Sequence, residues 1–352
     1  MKYRYDRERV ILAMSGGVDS SVAASILKDK GYSIKGITLI MTHHQKGIEA
    51  ARAVAKKLGF PHETIDVKKL FQQNVIKPFL TQYLKGKTPN PCIICNFKVK
   101  FGLLIEKLPI LKADFISTGH YAKIEYDEKR ERFILKKGVD PKREQSYFLF
   151  ALLQEQLKKI KLCLSNFKKE DVLKIAADIG IDLPYRSESR EICFIPDNDY
   201  RLYIKKRFPD LIKPGKIIDR KGNILGEHQG IAFYTIGQRK GLGPLGPKPK
   251  YVIQIDPKNN SLIVGDKSET LQKEFYISKT NWISYDMPPF FKKLKVKIRY
   301  NSSPSYATIY PKDDDIYIVK LEKPQSAITP GQAAVFYEGD ETVGGGWICD
   351  DY

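Results

Sequence analysis

The chain has 352 residues, and 60 Lys and Arg against 41 Asp and Glu give it a net charge of +19. Hydrophobic residues at 42% and charged residues at 29% are an ordinary globular balance, which excludes disorder as the main state and supports two or three domains whose cores need no disulfide or metal. No apolar run reaches the roughly 18 residues of a membrane span, and MKYRYDRERV lacks the apolar stretch of a signal peptide, so no membrane partner is expected.

The odd set Cys92, Cys95, Cys163, Cys193 and Cys349 fits a reducing compartment, and a cytoplasmic location is expected. The positive excess points to a polyanionic partner; a Lys-rich surface with no partner is the alternative.

In chain order, Val10 to Met14 reads as a short strand ending in a glycine turn, and Val22 to Leu27 as a helix stopped by Gly31. Ile34 to Ile40 is a second apolar run, Ile48 to Leu58 a helix closed by Gly59, and Glu63 to Val67 a third strand. A long helix is expected from about Lys68 to Lys85, and Asp114 to Ser117 leads into the turn Thr118-Gly119-His120. This alternation predicts an α/β domain with a parallel sheet and right-handed crossovers.

Near Phe208 the pattern changes to short runs separated by Gly, Pro and Asn, with a hairpin expected between Val252–Ile255 and Ser261–Val264. From about Leu271, regularly spaced strands suggest a small β barrel. The expected domains are a parallel-sheet domain over 1–205, a small central β-rich domain over 206–270 and a C-terminal β barrel over 271–352.

The strongest local signal is Ser15-Gly16-Gly17-Val18-Asp19-Ser20, which follows a strand and opens a helix. Its glycines allow close backbone approach, and the helix start offers free N–H groups to phosphate. Ser15, Ser20 and Ser21 add hydroxyls, and Asp19 is assigned to a metal ion such as Mg²⁺. No Gly-Lys-Ser/Thr follows, so this is not a Walker loop. The string resembles the pyrophosphate loop (PP-loop) of the ATP pyrophosphatases, which adenylate a carbonyl-type oxygen and release pyrophosphate.

Cys92 and Cys95, in Thr88-Pro89-Asn90-Pro91-Cys92-Ile93-Ile94-Cys95-Asn96, have chelate or redox spacing. Half a zinc site, with His43, His44, His62 or His120 as further ligands, and two cluster ligands are open readings, whereas thioredoxin-like redox chemistry is disfavoured because no suitable βαβ start adjoins the motif. Arg186 and Arg190 flank Cys193 and favour its thiolate, whereas Cys163 and Cys349 sit in apolar runs and read as core. In Phe290 to Tyr300, period-two alternation places Lys293, Lys295, Lys297 and Arg299 on one face and Leu294, Val296 and Ile298 on the other, a row of cations suited to an RNA backbone. Gly237 to Gly241 and Tyr200 to Phe208 are further basic candidates.

With TGHYA, EQSYFLF, REICFIP, YTIGQRKGLG and PGQAAVFY, these blocks resemble the tRNA-specific 2-thiouridylase family across nearly the whole chain. The resemblance implies a PP-loop domain, a central domain and a β barrel. It also implies ATP-dependent transfer of sulfur to C2 of the wobble uridine in tRNAs for Lys, Glu and Gln, with the sulfur supplied by a cysteine desulfurase, a relay protein or inorganic sulfide.

By position, Ala13, Met14, Ser15, Gly16, Gly17, Val18, Asp19, Ser20, Leu39 and Gly119 match ATP-binding residues. Cys95 matches the nucleophile, Cys193 the persulfide carrier, and Asn90, Pro91 and Cys92 the segment facing the target base. His120, Arg143, Glu144, Gln145, Arg299, Tyr300 and Gln332 match tRNA contacts, to which the strand reading adds Lys295 and Lys297. Many members have Asp where this chain has Cys92. The third thiol favours a [4Fe–4S] cluster held by Cys92, Cys95 and Cys193, with one iron open to bind hydrosulfide, over the persulfide route. The whole reading requires the phosphate loop and these thiols to meet at one base.

Overall fold

In the computed structural model, which describes residues 7–43, 47–181 and 192–350, the chain divides into two units. One comprises Met1–Val75, Cys92–Arg190 and Gly339–Val343; the other Ile76–Pro91, Glu191–Glu338 and Gly344–Tyr352.

The first unit is built on β1 (Arg9–Ala13), α1 (Val18–Asp29), β2 (Ser33–Ile40), α2 (Ile48–Leu58), β3 (His62–Asp66) and β4 (Phe115–Ser117), with parallel strands in the order β3-β2-β1-β4. β1 lies in the middle, Leu12 opposite Gly36 and Ser117. Val10, Leu12 and Met14 bury one face against Val22, Ala23 and Leu27 of α1, Val54 of α2, and Val172 and Ala176 of the helix Lys169–Asp178. Ile11, pointing the other way, is equally buried. A strand covered on both faces must be apolar throughout, which is why this run stands out in the sequence.

Two elements differ from expectation. The stretch expected as one helix from Lys68 runs as Lys68–Phe71, a π turn Gln72–Ile76, and Lys77–Leu84. Pro78 has no N–H for the Asn74 carbonyl four residues back, and the widened turn falls there. A hairpin of β5 (Ala122–Asp127) and β6 (Arg132–Lys137) also interrupts the α/β alternation. β6 pairs with Glu341 and Thr342, and Arg130 grips Glu341 through two bonds of 2.7 and 2.9 Å.

The second unit contains β7 (Gly215–Ile218), β8 (Ile224–His228), β9 (Tyr251–Asp256) and β10 (Ser261–Gly265), ordered β8-β7-β10-β9, with the expected hairpin formed by β9 and β10. The barrel strands are β11 (Leu271–Trp282), β12 (Lys293–Lys297), β13 (Ser305–Asp313), β14 (Ile316–Ser326), β15 (Ala333–Glu338) and β16 (Glu341–Cys349). They run β11-β14-β13-β12-β15-β16 and close by pairing of β11 with β16. Leu294, Val296, Ile309, Val319 and Phe336 are buried in it. No helix among the described residues is long and apolar enough to cross a membrane.

Candidate functional site

The phosphate loop is held open by its own hydroxyls. Ser20 Oγ donates to the Gly17 carbonyl at 2.9 Å and accepts the Ser15 N–H at 3.3 Å, while Ser21 Oγ donates to the same carbonyl at 3.0 Å. No side chain caps α1 at Gly17, which leaves its first N–H groups for a ligand. Gly16 has φ +76°, and a Cβ on it would lie 2.1 Å from the carbonyl oxygen of Gly47. A Cβ on Gly119 would lie 2.8 Å from the Ser20 nitrogen. Ala13 and Met14 lead into the loop from β1, where Thr38 Oγ1 donates to the Met14 carbonyl at 2.9 Å, and Leu39 is buried on β2. The expected loop residues and Gly119 are thus brought together.

Asp19 is engaged by residues that the sequence did not single out. Tyr121 Oη and Lys169 Nζ each donate to Asp19 Oδ1 at 2.7 Å. Burial, with the Asp19 charge and hydrogen bond, pushes the Tyr121 hydroxyl far up, so it stays a donor. The backbones of both donors are tied to one segment. Asp140 Oδ2 accepts the Lys169 N–H and its Oδ1 the Lys142 N–H, both at 2.9 Å. Gln145 Oε1 accepts the Tyr121 N–H and the Gln145 N–H donates to the Tyr121 carbonyl, both at 3.0 Å. Burial alone would raise the Asp140 carboxyl, but the Lys169 and Lys142 N–H groups and the Arg143 charge outweigh it and hold the pKa below the usual value. Tyr121 lay inside the TGHYA block; no local pattern marks Lys169, Asp140 or Gly47.

Cys92 and Cys95 lie three residues apart at the start of a helix, Pro91–Ile94 continuing as the π-helical Cys95–Leu103. Cys92 is half-buried and Cys95 buried. The next residue, Asn96, donates from Nδ2 to the Phe148 carbonyl at 3.2 Å, so the EQSYFLF block braces the cysteine helix. Cys193 is exposed and belongs to the second unit. Its neighbour Phe194 packs edge-on against Phe79 at 5.3 Å and against Tyr203 at 5.7 Å, and the Arg207 guanidinium lies 3.5 Å from the Tyr203 ring centre. Arg186, Arg190 and His44 lie outside the described residues.

Among the described residues no group of three or more His, Cys, Asp or Glu side chains could hold a metal ion. Cys92 and Cys95 lie in the first unit and Cys193 in the second, so neither unit by itself carries the three thiols of the expected cluster. The histidines have other partners: His62 Nε2 meets Thr38 Oγ1 at 2.9 Å, and His120 Nδ1 meets Thr118 Oγ1 at 2.6 Å. Burial pushes His120 down to about 3, so it is neutral. Cys163 is core, its thiol pushed up to about 11 by burial; Cys349 is half-buried and also raised by burial.

In the second unit, Thr88 opens the segment that leads to Asn90 and Pro91. Its N–H donates to the Pro330 carbonyl at 2.9 Å, its carbonyl accepts Gln332 Nε2 at 2.9 Å, and its hydroxyl meets that of Thr235 at 3.1 Å. A Cβ on Gly331, at φ +93°, would lie 3.1 Å from the Thr88 carbonyl. Gln332, expected at the RNA, thus also holds Thr88.

On β12 the alternation is as expected, with Leu294 and Val296 buried and Lys293 and Lys295 exposed. The strand ends at Lys297, and Arg299 lies in the following turn, donating to the carbonyls of Ser326 and Ala327 at 3.2 and 3.3 Å. Lys293 is paired with Glu322 at 3.0 Å, Lys295 stands opposite Tyr306, and Lys297 lies 5.2 Å from the Tyr300 ring centre. Arg143 is half-buried and Glu144 buried, accepting the Ser146 N–H.

Three family models match the chain. Residues 8–197 match a model described as a tRNA methyl transferase HUP domain, 201–266 a tRNA methyl transferase PRC-barrel domain, and 272–348 an aminomethyltransferase beta-barrel domain. The chain is 46% identical to tRNA-specific 2-thiouridylase MnmA 1 of Caldanaerobacter subterraneus subsp. tengcongensis, covering 97% of each. It is 44% identical to tRNA-specific 2-thiouridylase MnmA of Acetivibrio thermocellus, covering 97% of this chain and 99% of that one. Among solved structures, a 4-thiouridine synthetase–RNA complex with bound ATP is similar over 58% of this chain and 51% of its own, at 19% identity and a TM-score of 0.40.

Proposed function

The chain belongs to the tRNA-specific 2-thiouridylase family, and from that premise we propose that it is a tRNA-uridine 2-sulfurtransferase, thiolating C2 of the wobble uridine in tRNAs of the Lys, Glu and Gln type at the expense of ATP. The observation that carries the reading is the open helix start at Gly17, packed against Gly119 and Gly47, in a chain collinear with such enzymes. The domains run 1–205, 206–270 and 271–352, and the enzyme works in the cytoplasm on tRNA.

The C2 oxygen of uridine is a poor leaving group, and transfer of AMP onto it makes a good one. The N–H groups of the loop stabilise charge on the departing pyrophosphate. Asp19 would hold Mg²⁺ together with the phosphates, because this ion is commonly held by one or two carboxylates and substrate oxygens; bound there, it would supply further charge stabilisation. The terminal sulfur of a Cys193 persulfide then attacks C2, and AMP departs with the former C2 oxygen. Cys95 attacks the carrier sulfur, which leaves 2-thiouridine and a Cys95–Cys193 disulfide, and an external thiol reduces that disulfide. The outer sulfur reaches Cys193 by transfer of persulfide sulfur from a desulfurase or a relay protein, the Cys193 thiolate displacing the donor's thiolate; inorganic sulfide would serve only the cluster reading. A second reading, favoured by the additional thiol Cys92, is the three-cysteine cluster; Cys92, Cys95 and Cys193 would hold it, and no step is assigned to it.

The test is mass spectrometry of the wobble nucleoside after incubation of the enzyme with ATP, Mg²⁺, a sulfur source and tRNA. Exchange of oxygen for sulfur, with tRNA-dependent AMP release and loss of product in Cys193→Ser, is expected. AMP release without tRNA would assign the chain to a small-molecule adenylating enzyme; no turnover under any condition would leave an RNA-binding protein.

A further inference from the structure

Neither the loop Ser15–Ser20 nor α1 carries a cation before Lys28, in the last turn of the helix. A triphosphate at the start of α1 would therefore meet N–H groups and one carboxylate, Asp19. The fold brings the missing charge from elsewhere: Lys169, 150 positions away in sequence, places its ammonium 2.7 Å from Asp19 Oδ1. Only 14% of its side chain is exposed, against 36% for Asp19, so the ammonium end of the pair is sheltered while the carboxylate stays open to a ligand. Its backbone is fixed by Asp140 at the start of its helix, and Tyr121 holds the same carboxylate oxygen from a second direction. A long side chain is thus aimed, from a clamped base, at the residue beside which the phosphates would lie.

We propose that Lys169 is a nucleotide-contacting cation of this site: its ammonium, with three donors, bridges Asp19 and a phosphate oxygen of the bound nucleotide, and so keeps the Asp19 carboxylate from repelling the triphosphate. This rests on the reading of the loop as an ATP site. Asp140 acts as a positioning residue, since it orients Lys169 while its other oxygen orders Lys142 at the head of the segment that continues to Gln145.

Calorimetric titration with a non-hydrolysable ATP analogue and Mg²⁺ tests this without turnover. Lys169→Met is expected to weaken binding about ten- to hundredfold, the effect of one charge-assisted hydrogen bond, and Lys169→Arg to recover most of it. In a parallel titration without Mg²⁺, the ion that Asp19 would hold, Asp19→Asn added to Lys169→Met should restore part of the affinity, because the unneutralised carboxylate is gone; a structural role for Lys169 would give no such rescue. Melting temperatures of all variants exclude unfolding as the cause. Unchanged affinity in Lys169→Met, beside a wild-type protein that binds the analogue, overturns this assignment alone. A wild-type protein that does not bind the analogue overturns it together with the ATP reading.

Discussion

Gly119 has no side chain because none fits: its neighbours are the Ser20 nitrogen and the Asp19 carbonyl carbon, both backbone and unable to swing aside. Gly119→Ala is therefore expected to destabilise the protein by about 1–3 kcal/mol, the usual cost of overpacking, and to weaken nucleotide binding as well, because the displaced atoms belong to the first turn of α1. Denaturant unfolding and analogue titration measure the two effects. His120 shows the same coupling of packing to chemistry. Burial keeps it neutral in the native state down to about pH 3, whereas the unfolded chain takes up its proton near pH 6.5. Between those values the unfolded state binds more protons, so this residue lowers stability as pH falls from about 6.5 towards 3 and has no such effect above. A His120→Gln variant that folds should lose stability less steeply over that range in pH-dependent urea unfolding; an unchanged slope would refute the assignment.

At the scale of the element, β12 shows how far alternation carries a prediction. Period two correctly separated Lys293 and Lys295 from Leu294 and Val296, because a barrel strand has one wet and one dry face. It could not show that Lys293 is paired with Glu322 across the sheet, since cross-strand neighbours depend on register. Lys295→Glu with Lys297→Glu should weaken tRNA binding and flatten its salt dependence by about one unit of slope for each phosphate no longer neutralised, while Lys293→Glu alone should do less. Filter binding over a salt series distinguishes them, and equal affinity of the double mutant and the wild type would remove this strand from the RNA surface. Helices were legible in kind but not in detail. The π turn at Gln72–Ile76 falls where Pro78 lacks an N–H, inside the stretch expected as a single helix from Lys68 to Lys85.

At the scale of the whole molecule, what could be read locally was the loop, the parallel strands, the β9–β10 hairpin and the barrel. Each is announced by residues adjacent in sequence: a glycine pair after a buried strand, a turn between two apolar runs, regularly spaced short strands. What could not be read is whatever two distant segments do together. Lys169 and Asp19 are one example, and the β6 pairing with Glu341 and Thr342, clamped by Arg130, is another. The same limit applies to the cysteines: spacing revealed Cys92 with Cys95, but the partition of the chain puts Cys193 in the other unit.

The tether at Thr88 has a consequence for biosynthesis. The amide that fixes its carbonyl comes from Gln332, 244 residues later, and its N–H is bound by the Pro330 carbonyl. A polypeptide still emerging from the ribosome therefore carries its complete phosphate loop long before the bend ahead of Asn90 can be locked. Early termination before Pro330 would yield a protein with its phosphate loop present and Thr88 without its hydrogen bonds to Pro330 and Gln332.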